Sequence, residues 1–129
     1  MMSTVKGMCK MFEVHFYEDK QGRQPIKQLL DALKEKSHTS KDARIQYEKI
    51  LTYLRSLRVH GTRVGEPAVK HIDGDIWELR PLARRIFFFY WQDNKFILLH
   101  HFIKKTNKTP QKEIKQAQRN MEDFKERNK

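Results

Sequence analysis

Cysteine is almost missing from this chain of 129 residues: the only one, Cys9, stands in the leader MMSTVKGMCKM, so neither a disulfide framework nor a cysteine metal site can be built. A reducing cytoplasm suits such a chain and is the expected location. Long apolar runs are missing as well. No stretch approaches the roughly 18 to 20 apolar residues of a membrane span, and the first eleven residues lack the apolar segment of a secretory signal, so no membrane association is expected. Because Met11 directly precedes the first strand-like run, residues 1–11 read as a flexible leader or an overextended start, with Met1 and Met11 both open as the natural beginning. The chain shows no internal repeat, linker or low-complexity segment. Metal-ligand patterns are also wanting: Asp73 and Asp75 merely flank a turn glycine, no histidine pair has helical ligand spacing, and no carboxylates cluster. Neither a metal nor any other cofactor is expected.

Negative charge is scarce. Lys and Arg number 27 against 16 Asp and Glu, a formal net charge of +11, which favours a phosphate-bearing or strongly acidic partner without fixing any chemistry. The scarcity is complete in residues 100–110, HHFIKKTNKTP, which hold no carboxylate at all. The length suits one hydrophobic core, so residues 12–129 are expected to form a single domain.

Hydrophobic periodicity supplies the element order. FEVHFYE (12–18) alternates Phe12, Val14 and Phe16 as a strand with one buried face. After KQGRQ, Pro25 opens a helix carrying Ile26, Leu29, Leu30 and Leu33 to about Lys36, and Ser40 or Asp42 caps a second whose stripe of Tyr47, Ile50, Leu51, Leu54 and Leu57 ends at Gly61. Strands follow near 68–72, 75–81, 84–92 and 95–104, with Asp73-Gly74 as a two-residue hairpin turn. Thr109-Pro110 reads as an N-cap and first-turn proline for a closing helix with Ile114, Ala117, Met121 and Phe124 on its apolar face, fraying beyond Phe124. The pattern is α+β.

Strict alternation in the last strand puts Phe96, Leu98, His100, Phe102 and Lys104 on one face and Ile97, Leu99, His101, Ile103 and Lys105 on the other. Both faces begin apolar and turn basic, so the sheet should be covered on both sides at the strand's start and open at its end. Of two adjacent histidines only one can share a face with Phe102, and His100 is the choice, while His15, His38, His60 and His71 are scattered singly. Arg80 reads either as a phosphate-gripping charge or as half of an ion pair with Glu78, and only one of Arg84 and Arg85 can face the same side as Arg80. Lys104, Lys105 and Lys108 precede a helix N-terminus whose free amides favour an anion, and Phe102 is placed to stack on a base. Phe87, Phe88, Phe89 and Trp91 look like packing.

From about Asp73 to Phe124, the strings IWELRP, RRIFFFYW, LLHHFIKKTNKTP and EIKQAQRNMEDF together resemble the HigB branch of the RelE-like toxins, small bacterial ribonucleases of toxin–antitoxin pairs. The N-terminal strand and helix pair agree in order alone. Two departures stand out: His101 occupies a position where the family would carry a small residue, and SHTSKD between the helices looks like a local addition. The resemblance implies a RelE-like fold, in which an N-terminal strand and helix pair pack on a mostly antiparallel sheet and a C-terminal helix closes it. It also implies metal-free cleavage of messenger RNA on the ribosome, with a HigA-like antitoxin as partner. In that reading Arg80 and one of Arg84 or Arg85 hold phosphate oxygens, Lys104 or Lys105 supports the charge or supplies a base, and His100 exchanges protons. Phe102, Thr106 and Lys108 then complete the RNA-binding surface. The alternatives are a non-catalytic RNA or ribosome binder and a protein that docks an acidic partner.

Overall fold

The computed structural model describes residues 11–129. The expected leader therefore lies, apart from Met11, outside the described residues. Strand β1 (Glu13–Phe16) leads into helices α1 (Pro25–Lys36) and α2 (Lys41–His60), then strands β2 (Val69–Asp73), β3 (Ile76–Leu79), β4 (Arg84–Trp91) and β5 (Lys95–Ile103), and finally helix α3 (Gln111–Arg127). The strands form one five-stranded sheet in the order β1-β5-β4-β3-β2, in which β1 runs parallel to β5 and every other pair is antiparallel. This is the α+β architecture expected, with a sheet of mixed direction.

Helices α1 and α2 form where periodicity and start signals agree. Pro25 at the start of α1 brings a fixed φ and lacks only an amide that a first turn leaves unpaired anyway. The Ser40 hydroxyl caps α2 by accepting from the Ala43 amide at 3.1 Å. Gly61 ends α2 at φ +62°, where a side chain would be strained and its Cβ would stand 2.9 Å from the Phe12 ring.

The sheet has a core on each side. Ile26, Leu29 and Leu30 of α1 and Ile50, Leu54 and Leu57 of α2 pack on Leu79, Ile86, Phe88, Phe96 and Leu98. On the opposite side, Ile114, Ala117 and Met121 of α3 pack on Ile76, Phe87, Phe89, Ile97, Leu99 and Phe102. The central strand β4 is thus buried on both faces, which is why its aromatic run shows no polar alternation.

Five local expectations need correction. The β2–β3 turn consists of Gly74 and Asp75, because Asp73 still pairs with Ile76. Strand β3 stops at Leu79, so Arg80 lies just beyond it, its amide bonded to the Ala68 carbonyl at 2.9 Å. Pro110, rather than Thr109, occupies the cap position of α3, and the helix continues past Phe124 to Arg127, whose guanidinium is tied to Asp123 at 2.8 Å.

The fifth concerns β5. Phe87 pairs with His100 but Phe88 pairs with Leu98, leaving Leu99 as the extra residue of a β-bulge. Strict alternation fails at that point. Phe96 and Leu98 face the helix pair, whereas Phe102 faces α3. Buried Asn120 of α3 satisfies the bulge by donating from Nδ2 to the Leu99 carbonyl at 2.8 Å.

Candidate functional site

Adjacent in the strand, the two histidines point to opposite sides, and the bulge reverses which side each takes. His100 turns toward α3, lies 6.4 Å from the Phe102 ring at an interplanar angle of 25°, and donates from Nε2 to Glu113 Oε1 at 2.7 Å. His101 turns the other way, where its cross-strand partner is Ile86. There its Nδ1 accepts from Arg84 Nη1 at 3.0 Å. Burial, reinforced by the Arg84 and His100 charges, pushes the His101 pKa down to about 4.

Arg80 and Arg85 meet at the α3 face around Glu78. The Glu78 carboxylate is 1% exposed, with Arg80 Nε at 3.5 Å and Arg85 Nε at 3.9 Å. Burial raises the Glu78 pKa, and the charges of Arg85, Arg80, Lys104 and Lys70 oppose the rise. Of the two readings open for Arg80, the ion pair is the one present. Arg85 also donates from Nη1 to the carbonyls of Leu82 at 2.7 Å and Arg84 at 3.0 Å, pinning the turn between β3 and β4. Lys104 donates to Thr109 Oγ1 at 3.4 Å, and its backbone amide is bonded to Ala83.

Among the described residues, four hollows surround this region, the smallest of about 210 Å³ and lined by Asp42, Gln46, Leu82, Ala83, Arg84 and Ile103. The first, about 470 Å³, lies between the end of β5 and the start of α3 and is lined by Arg84, His101, Phe102, Ile103, Lys105, Thr106, Pro110, Lys112 and Glu113. The second, about 570 Å³, lies on the other flank of the loop and includes Lys70, His71, Thr106, Lys108, Thr109 and Gln111. The third, about 270 Å³, includes Tyr17, Asp19, Arg23, Gln28, His100, Gln116 and Asn120. None of these is lined by Arg80, His100 and Lys104 together.

The candidates named from sequence are therefore divided. Arg84, Phe102, Lys105 and Thr106 share the first hollow, Thr106 and Lys108 the second, and Arg80, Arg85 and Lys104 gather around Glu78. His100 reaches the first hollow only through Glu113, which lines it. Three lining residues were missed: His101, Lys112 and Glu113. Glu113 had a signal, since it is the first carboxylate after Asp93 and sits in the first turn of α3, where a helix dipole favours an acid. Lys112 carries no such mark.

The first hollow presents Arg84, Lys105 and Lys112 with Glu113 as the carboxylate on its wall. Such a set can hold an anion and move a proton beside it. Among the described residues, no three His, Cys, Asp or Glu side chains converge as a metal site requires. Among the described residues too, no helix is long and apolar enough to cross a membrane. A family model described as "Phage derived protein Gp49-like (DUF891)" matches residues 19–122. No curated protein matches the chain.

Proposed function

The chain belongs to the Gp49-like family, which is associated with RelE/HigB-like toxins, and from that premise we propose that it is a toxin that cuts messenger RNA on the ribosome without a metal and is neutralised by a HigA-like antitoxin. The observation that carries this reading is the first hollow, where three cations surround one carboxylate that is itself hydrogen-bonded to a histidine. RNA carries its own nucleophile. Cleavage requires only that the 2′-hydroxyl lose a proton, that the crowded phosphate be stabilised, and that the departing 5′-oxygen gain a proton.

In this assignment Arg84, Lys105 and Lys112 bind the phosphate oxygens. Glu113 takes the 2′-hydroxyl proton and returns it to the departing 5′-oxygen, and His100, bonded to Glu113 at 2.7 Å, orients the carboxylate. Phe102, half of an edge-on pair with Phe87 at 5.3 Å, gives the hollow an apolar wall for a base. Lys104, Thr106 and Lys108 extend the cationic surface toward the second hollow. Arg80 contributes field rather than contact, because Glu78 already holds its guanidinium.

The test is translation-coupled cleavage with mapping of RNA ends. Glu113→Gln should lower cleavage by about 10²- to 10⁴-fold while RNA binding persists, and Arg84→Ala should weaken both. Full cleavage by Glu113→Gln and His100→Ala would sink the assignment. A second reading, a non-catalytic RNA, ribosome or acidic-partner binder, is favoured by the neutralisation of Arg80 and Arg85 at Glu78. RNA binding by the unaltered protein without any cut ends selects it.

A further inference from the structure

We infer that His101 is a positioning residue: its ring accepts one N–H of Arg84 and so aims the rest of that guanidinium at a phosphate in the first hollow. The inference rests on the RNA reading above and deepens it. It starts from hydrogen-bond inventory. Arginine only donates, so the 3.0 Å contact between Arg84 Nη1 and His101 Nδ1 requires a lone pair on Nδ1. The ring is then neutral, with its proton on Nε2. The ring is thus tied to Arg84 through Nδ1, and its Nε2 proton points away from that contact.

Arg84 needs such an anchor. Its Nε is buried with no hydrogen-bond partner, and burial lowers its pKa, with no carboxylate contributing a countercharge. Arg85, by contrast, is paired with Glu78. A neutral acceptor fixes Arg84 without cancelling its charge, which a carboxylate in the same place would do. The cation therefore stays available to an anionic ligand in the hollow that Arg84 and His101 line together. The bulge at Leu99 makes this possible by turning His101 away from α3.

Two measurements test it on the full chain. The imidazole nitrogen spectrum at neutral pH should show His101 neutral and protonated on Nε2, with the Nδ1 signal moving in Arg84→Ala. A charged ring, or a proton on Nδ1, overturns the inference. Affinity for a short single-stranded oligoribonucleotide should fall about tenfold in Arg84→Ala and nearly as much in His101→Leu, with no further loss in the double variant. His101→Asn, which keeps an acceptor, should recover most of the affinity. Losses that multiply in the double variant, or full affinity in His101→Leu, overturn the inference and leave the RNA reading intact. Failure of the unaltered protein to bind the oligoribonucleotide overturns the RNA reading, and with it the phosphate assigned to Arg84.

Discussion

Glu78 is a buried ionisable group and His101 a half-buried one, and they respond to change in opposite ways. Removing the Glu78 carboxylate leaves Arg80 and Arg85 facing one another with no countercharge, so Glu78→Ala should cost about 3 to 5 kcal/mol in urea unfolding at neutral pH. His101 instead makes stability fall with acid. Its folded pKa of about 4 lies below the ordinary 6.5, so between those values the unfolded chain binds the proton and the folded chain does not. Its contribution is intact above about pH 6.5 and is lost as pH falls through the folded value, on the order of 1 to 3 kcal/mol in total because solvent screens the half-buried ring. Unfolding midpoints followed down that range should drop, and the drop should be smaller in His101→Asn. Arg84, His100 and Glu113 are the other charged or titratable groups acting on this ring. Residue roles were only partly legible in the sequence. The Arg80–Glu78 pair followed from two neighbouring charges of opposite sign on one strand face. The partnership of His101 with Arg84 did not, because it depends on which way the strand turns after Leu98.

At the level of elements, legibility followed periodicity. Helix α2 and its serine cap stand where the apolar stripe and Ser40 indicated, and the N-terminal end of α1 falls at Pro25. Ser40→Ala should lower stability by about 1 kcal/mol. The bulge in β5 escaped because nothing in KFILLHHFI marks Leu99 as the extra residue; the group that satisfies it lies 21 residues downstream, in the amide of Asn120. Replacing Asn120 with leucine should strand the Leu99 carbonyl, costing about 1 to 3 kcal/mol and raising amide exchange in β5 above that in β4. Alternation rightly puts His100 beside Phe102 and His101 opposite, but carried unbroken through Leu99 it assigns both to the wrong side of the sheet: His100 turns to Glu113 of α3, and His101 to Arg84.

For the molecule as a whole, charge is the dominant property. The excess of +11 is not spread evenly in its effect, since Glu78 neutralises part of it inside while Arg84, Lys105, Lys108 and Lys112 line the hollows. If those four reach RNA phosphates together, the logarithm of affinity for a single strand should fall with the logarithm of salt concentration at a slope of about 3, and Lys105→Ala should lower that slope by about 0.7. The sheet order carries a different consequence. Glu13 finds its partner in Lys95, so the earliest strand to leave the translation machinery waits beside a half-made core until the latest strand emerges, and the hollow between β5 and α3 is assembled after that. A nascent chain therefore lacks this hollow until β5 and α3 have both emerged, and a shortened product without β5 never forms it.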